Sequence, residues 1–205
     1  MVINLHIFEE RYKQMIDLCM TSQQPFGVVL IEEGQEAFGP AKPHLIGCTA
    51  QLARIQPLEY GRMDISAVGR ERFEIQSLRY DRPYLVGSVE MRPIRRNHTR
   101  AVTRVAARLR PLVLRYLDML ADIENVRFDL TELPADPVAF AYLAAAILQQ
   151  VPLTRKQDLL ASNRALDLLV QIRELYQFEV ALLEMMIERA QNSDSDILDT
   201  FFSAN

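Results

Sequence analysis

Residues 63–75 read Met63-Asp64-Ile65-Ser66-Ala67-Val68-Gly69-Arg70-Glu71-Arg72-Phe73-Glu74-Ile75, and their period decides the character of the first half of the chain. Met63, Ile65 and Ala67 alternate with Asp64, Ser66 and Val68, and Phe73 and Ile75 take up the alternation again after Gly69. Side chains two residues apart share one face of a strand, so this stretch reads as half-buried β structure. Outward from it, Phe26 to Ile31 is an apolar run of strand length ended by Glu32-Glu33-Gly34. Leu45 to Leu58 holds one long or two bent strands, Glu59-Tyr60-Gly61-Arg62 is a turn, and Tyr84 to Met91 is the last strand. One helix interrupts them, marked by Phe8, Tyr12, Met15, Ile16 and Cys19 at helical spacing. About five short strands joined by mixed turns predict a small barrel or folded-over sheet.

Glycine marks where that character ends. All seven glycines lie before position 90, and glycine serves turns but weakens helix interiors. The second half therefore reads as helices. Asn97 opens one to about Ala121, with Pro111 kinking or splitting it. Asp136-Pro137 places a capping side chain before a proline at the first helical position and starts a second helix, to about Gln149. Thr154-Arg155-Lys156-Gln157 fits a capping box for a short third one, and Asn163 opens a long last helix to about Ala190. The last helix carries Leu166, Leu169, Val170, Tyr176, Val180, Leu183 and Ile187 on one stripe, with a second apolar row beside it. Two readings of so wide a face stay open: burial within the helical lobe, or a surface for a partner or a second copy in a homodimer.

With 205 residues, 49% of them hydrophobic, the chain suffices for one large domain or two small ones. No uninterrupted apolar run approaches the ~20 residues of a membrane span, and the start, Met1-Val2-Ile3-Asn4-Leu5-His6, has no signal-peptide pattern. Cys19 and Cys48 lack metal-ligand spacing and read as free thilols of a reducing, cytoplasmic compartment. A net charge of -4 argues against wholesale nucleic-acid affinity, although a local patch can override the sum.

Five short motifs in the first half carry a more specific signal. They are His6-Ile7-Phe8-Glu9-Glu10-Arg11-Tyr12, Pro25-Phe26-Gly27-Val28-Val29-Leu30-Ile31, Pro43-His44-Leu45-Ile46-Gly47-Cys48-Thr49-Ala50, Val68-Gly69-Arg70-Glu71-Arg72-Phe73 and Asp81-Arg82-Pro83-Tyr84-Leu85. In that order and spacing they resemble the amino-terminal, substrate-recognising domain of the ATP-dependent protease Lon, a family that includes stand-alone proteins without motor or protease. Asp136-Pro137 through Leu160 is similar to the helical subdomain that follows the barrel in that family, and Arg164-Ala165-Leu166 to the start of its long last helix. The resemblance implies an α+β chain: a PUA-like β pseudo-barrel lobe over 1–92, then an α-helical bundle lobe over 93–205 with a long C-terminal helix. Family members usually begin about fifteen residues earlier, with a strand leading into the motif at His6. The expectation is therefore either a start assigned too far downstream or a barrel short of its first strand.

Catalytic patterns are missing from the chain. There is no G-x-x-x-x-G-K-[ST] and no G-x-G-x-x-G, so neither phosphate-cradling loop is present. No serine stands in a G-x-S-x-G elbow, and none of the three lysines (Lys13, Lys42, Lys156) lies in a catalytic motif of the family. His6, His44 and His98 are scattered, without H-x-x-x-H or C-x-x-C, and His6 reads as a residue that packs or hydrogen-bonds within the fold. The expectation is a non-enzymatic protein with no cofactor and no metal.

One electrostatic feature remains. Arg96, Arg100, Arg104 and Arg108 recur every four residues in a segment free of Asp and Glu from Arg92 to Leu117. A helix sets them in one stripe, where like charges repel by roughly 0.2–0.5 kcal/mol per pair unless something answers them. The answer is either internal, from acidic groups such as Asp194, Asp196 and Asp199, or an acidic partner, polypeptide or RNA. The resemblance implies capture of unfolded or tagged polypeptides. Tyr84, Met91 and the arginine stripe are the candidate binding residues, expected near the junction of the two lobes. The alternatives are an RNA-binding PUA-like module using the stripe, and an adaptor that docks on a separate chaperone or protease.

Overall fold

The structure, a computed structural model, describes residues 1–34, 41–94, 99–124 and 133–192. The readings that fall on Arg96, Asn97 and His98, and on the tail at Asp194, Asp196 and Asp199, lie outside the described residues. The chain divides into two compact units, Met1–Ile94 and Arg95–Asn205.

In the first unit the described elements are β1 (Val2–Ile7), α1 (Glu10–Ser22), β2 (Phe26–Val28), β3 (Ile31–Glu33), β4 (Lys42–Pro43), β5 (Ile46–Pro57), β6 (Met63–Arg79) and β7 (Val86–Met91). The main sheet runs β1-β6-β5-β2 with β7 also on β6, while β3 and β4 form a separate pair. Every pairing is antiparallel. The segment read as the stub of a family strand is itself a strand: β1 pairs residue for residue with Met63–Val68.

The alternation lapses at Gly69 without interrupting the strand. β6 continues through it for 17 residues, because a bulge between Cys48 and Ala50 takes up the irregularity. Thr49 fills that bulge: its hydroxyl accepts from the Glu71 N–H at 3.0 Å and donates to the Glu71 carbonyl at 3.2 Å. The run Phe26–Ile31 is also not one strand. β2 pairs with β5 and β3 with β4, so the chain changes sheets at Val29–Leu30, where the His44 N–H donates to the Leu30 carbonyl at 2.8 Å. Tyr60 and Gly61, at φ 60° and 66°, turn the chain from β5 into β6; the left-handed region makes glycine the natural second residue there.

The alternation does select the core. Ile65 and Ala67 are buried with Ile7, Ala50, Phe26 and, from α1, Ile16 and Cys19. Phe8 is left exposed ahead of α1 rather than on its packed face.

The second unit holds α2 (Arg100–Glu124), α3 (Pro137–Ile147), α4 (Leu153–Ala161) and α5 (Ala165–Asn192). The Thr99 hydroxyl accepts from the Val102 N–H at 3.3 Å at the start of α2, and Pro111 lies inside that helix without splitting it. The Asp136 carboxylate accepts from the Ala139 N–H at 2.8 Å, as its spacing predicted. The predicted capping box at Thr154 does not form. Pro152 takes the cap position with no side-chain bond, Thr154 falls inside the first turn, and Gln157 is buried.

Leu168, Leu169, Ile172, Tyr176, Val180 and Leu183 bury one face of α5, which packs against α2, α3 and α4. Tyr176 stands edge-on to Tyr116 at 5.4 Å and donates to the Ala144 carbonyl at 2.9 Å, and burial pushes its phenol well above the usual range. Phe178 and Met185, on another face of α5, are exposed. Among the described residues no helix is long and apolar enough to cross a membrane.

Candidate functional site

The β6–β7 hairpin is the most distinctive surface of the first unit. Alternation gives it two unlike faces. On one lie Leu78, Val89 and Met91, with Phe73 and Ile75 opposite Met91 and Val89 in the ladder, and Leu85 comes just ahead of the strand. Phe73 and Ile75 are buried, whereas Leu85, Val89 and Met91 are 40%, 37% and 46% exposed. Gly87 lies opposite Leu78, and a methyl group built on it would find its nearest neighbours in Leu78 and Val89, at 3.6 Å each, and the Ser77 carbonyl at 3.7 Å. The other face is polar. Arg92 Nε donates to Glu74 Oε2 at 2.7 Å, Gln76 reaches Glu90 at 3.5 Å, and Ser77 faces Ser88. Glu74 and Glu90 hold the Arg92 guanidinium above even its usual range, the Glu74 bond contributing most.

The candidates separate into different places. Met91 ends β7 on the apolar face, whereas Tyr84 is half-buried in the bend ahead of the strand. Arg100, Arg104 and Arg108 are all exposed along α2, and none has an acidic partner among the described residues. Arg110 and Arg115 are engaged: Arg110 donates to the Pro134 carbonyl at 2.7 Å and lies 4.5 Å over the Phe140 ring, and Arg115 pairs with Glu184 at 2.7 Å. Sequence reasoning missed Leu78, Leu85 and Val89. The period-two spacing of Leu85, Gly87, Val89 and Met91 was the available signal.

A second concavity lies along β1, β6 and β5, lined by Asn4, His6, Arg54, Gln56, Asp64 and Ser66. His6 and Asp64 meet at 2.6 Å, and the Ser66 hydroxyl donates to Asn4 at 2.8 Å. Serine, histidine and aspartate are thus neighbours, but Ser66 is bonded to an amide rather than to the imidazole that would have to take its proton. Among the described residues no three His, Cys, Asp or Glu side chains group as a metal site. The two thiols are free, and burial pushes both above their usual range.

The model of one family, the ATP-dependent protease La (LON) substrate-binding domain, matches residues 1–177. The chain belongs to that family. A Lon substrate-binding domain is a non-catalytic domain. Solved Lon domains share the fold. The N-terminal domain of Mycobacterium avium complex Lon protease has TM-score 0.65 and 17% identity over 86% of this chain and 90% of that one. A Lon N-terminal domain protein from Xanthomonas campestris has TM-score 0.57 and 21% identity over 84% and 88%. No curated protein matches the chain in sequence. The Lon-type fold here is thus the curled antiparallel sheet followed by helices, the α+β class its sequence predicted.

Proposed function

We propose that this Lon-type domain is a non-enzymatic module that binds unfolded polypeptide, and that it does so on the apolar face of the β6–β7 hairpin. The observation that carries the reading is the exposure of Val89 and Met91 on one face of β7, with exposed Leu85 just ahead of the strand and Ser88 and Glu90 on the other face. Contiguous exposed apolar surface marks interaction sites, and a polar rim such as Glu74, Gln76, Glu90 and Arg92 fits the anatomy of an interface. With its thiols free, the protein suits the reducing cytoplasm we propose for it.

A second reading rests on Arg100, Arg104 and Arg108, which the described residues leave without acidic partners. It takes RNA as the ligand.

Fluorescence anisotropy of a labelled unfolded polypeptide and a labelled RNA, at low and high salt, decides between them. Apolar capture predicts polypeptide binding that barely responds to salt, because little of it is counterion release. RNA binding through three arginines predicts an affinity falling with a log–log slope of about -2 to -3. Absence of polypeptide binding refutes the first reading.

A further inference from the structure

We infer that β7 is a docking edge on which one extended segment of unfolded polypeptide is added to the sheet as a further strand, beside Val86–Met91. This rests on the polypeptide-binding reading and supplies its geometry.

The backbone directions carry the argument. Arg92 donates its N–H to the Arg72 carbonyl at 2.8 Å, which places Arg92, and two residues back Glu90, in the hydrogen-bonded pairs with β6. An antiparallel ladder alternates, so Met91 and Val89 direct their N–H and C=O groups away from β6. The partner strand agrees: Ile75, opposite Val89, sends its own N–H the other way, to the Leu45 carbonyl at 2.8 Å. Continued along the strand, the alternation makes Gly87 the third outward residue. Among the described residues β7 pairs with β6 alone. Gly87, Val89 and Met91 thus present donors and acceptors at a spacing that extended backbone matches.

Two of these three, Val89 and Met91, carry the apolar face, so an added strand gains side-chain contacts as well as a ladder. Devices that usually blunt an edge, such as lysine, proline or an inward charge, are absent from Val86–Met91. Its one charged residue, Glu90, is on the opposite face beside Gln76 and Arg92.

The other edges lack this combination. β2 has three residues. On β1, Ile3, Leu5 and Ile7 are already committed to the core, and Asn4 and His6 are tied to Ser66 and Asp64. A second copy of the chain pairing β7 to β7 would join two six-residue strands, each only about 20 Å long, and so narrow an edge contact buries far less than the roughly 1,200 Å² of a stable interface. Transient capture of a client segment has no such requirement.

Register makes the test specific. In an added strand that runs antiparallel to β7, as the described pairings of this sheet all do, a client residue directly opposite Val89 shares its face and directs its own N–H at β7. The probe is a labelled ten-residue peptide alternating valine and threonine, with lysines at its ends. N-methylation of its valines is expected to weaken binding about tenfold or more, whereas N-methylation of its threonines leaves it unchanged. Val89→Pro, which removes an outward donor and spares the β6 ladder, is expected to weaken the parent peptide several-fold with the thermal midpoint retained. Equal binding of all three peptides overturns the edge and leaves polypeptide capture standing. Failure of both the parent peptide and an unfolded protein to bind overturns both readings. Sedimentation showing a dimer that Val89→Pro dissociates assigns the edge to a second copy instead.

Discussion

A methyl group on Gly47 would sit 2.6 Å from the Phe73 ring and 2.7 Å from the Val28 carbonyl oxygen. Phe73 is buried and the carbonyl is backbone, so neither can yield cheaply. Gly47→Ala is expected to destabilise the first unit by about 1–3 kcal/mol, read as a lower urea midpoint. Glu179 poses a different problem, since it is 6% exposed in α5 and no described group pairs with it. Desolvation raises its pKa, so between the unfolded and the folded pKa the folded state holds more protons. Its effect on stability is therefore most favourable below the unfolded value, about 4.3, and worsens as pH rises through the folded one. Glu179→Gln is expected to raise the thermal midpoint at pH 8 and to change it little at pH 4; an equal gain at both would refute the titration account.

At the scale of elements, helix starts show how local chemistry is honoured or overridden. Asp136 caps α3 at 2.8 Å, and Asp136→Ala is expected to cost about 1 kcal/mol, measured as a shift of the denaturant midpoint. Thr154 has the letters of a cap but not the position, because Pro152 already occupies the turn into α4. Pro111 sits in α2, where its missing N–H forfeits one bond, yet it is exposed and the helix runs on to Glu124. The packed faces around Leu109, Val113, Leu117 and Leu120 account for that continuity, since tertiary burial outweighs one lost turn bond.

For the whole molecule, the net charge of -4 hides an uneven surface. Arg115, farther along α2, pairs with Glu184, but Arg100, Arg104 and Arg108 of the stripe have no acidic partner among the described residues. Polypeptide capture on the β6–β7 hairpin does not use them. Arg100→Glu with Arg104→Glu is therefore expected to leave the polypeptide dissociation constant within about twofold, well below the tenfold that 1.4 kcal/mol represents. A larger loss, recovered at neither salt concentration, would move the binding surface to α2.

Periodicity and turn chemistry, both properties of short windows, were enough to read the α+β class, the change from strands to helices, the inward set Ile65, Ala67 and Ile16, and the Asp136 cap. The motifs from His6 to Leu85 carried the family. Strand pairing is nonlocal, and no window records it. That Gly69 lies within β6, that Val29–Leu30 crosses between sheets, and that β7 pairs with β6 alone among the described residues were decided by which distant segments met. The candidate site was legible in part for the same reason. Met91 could be named from its place in an apolar strand, but the exposure of Leu85 and Val89 and the outward turn of the backbone at Val89 depend on what β6 covers and what it leaves open.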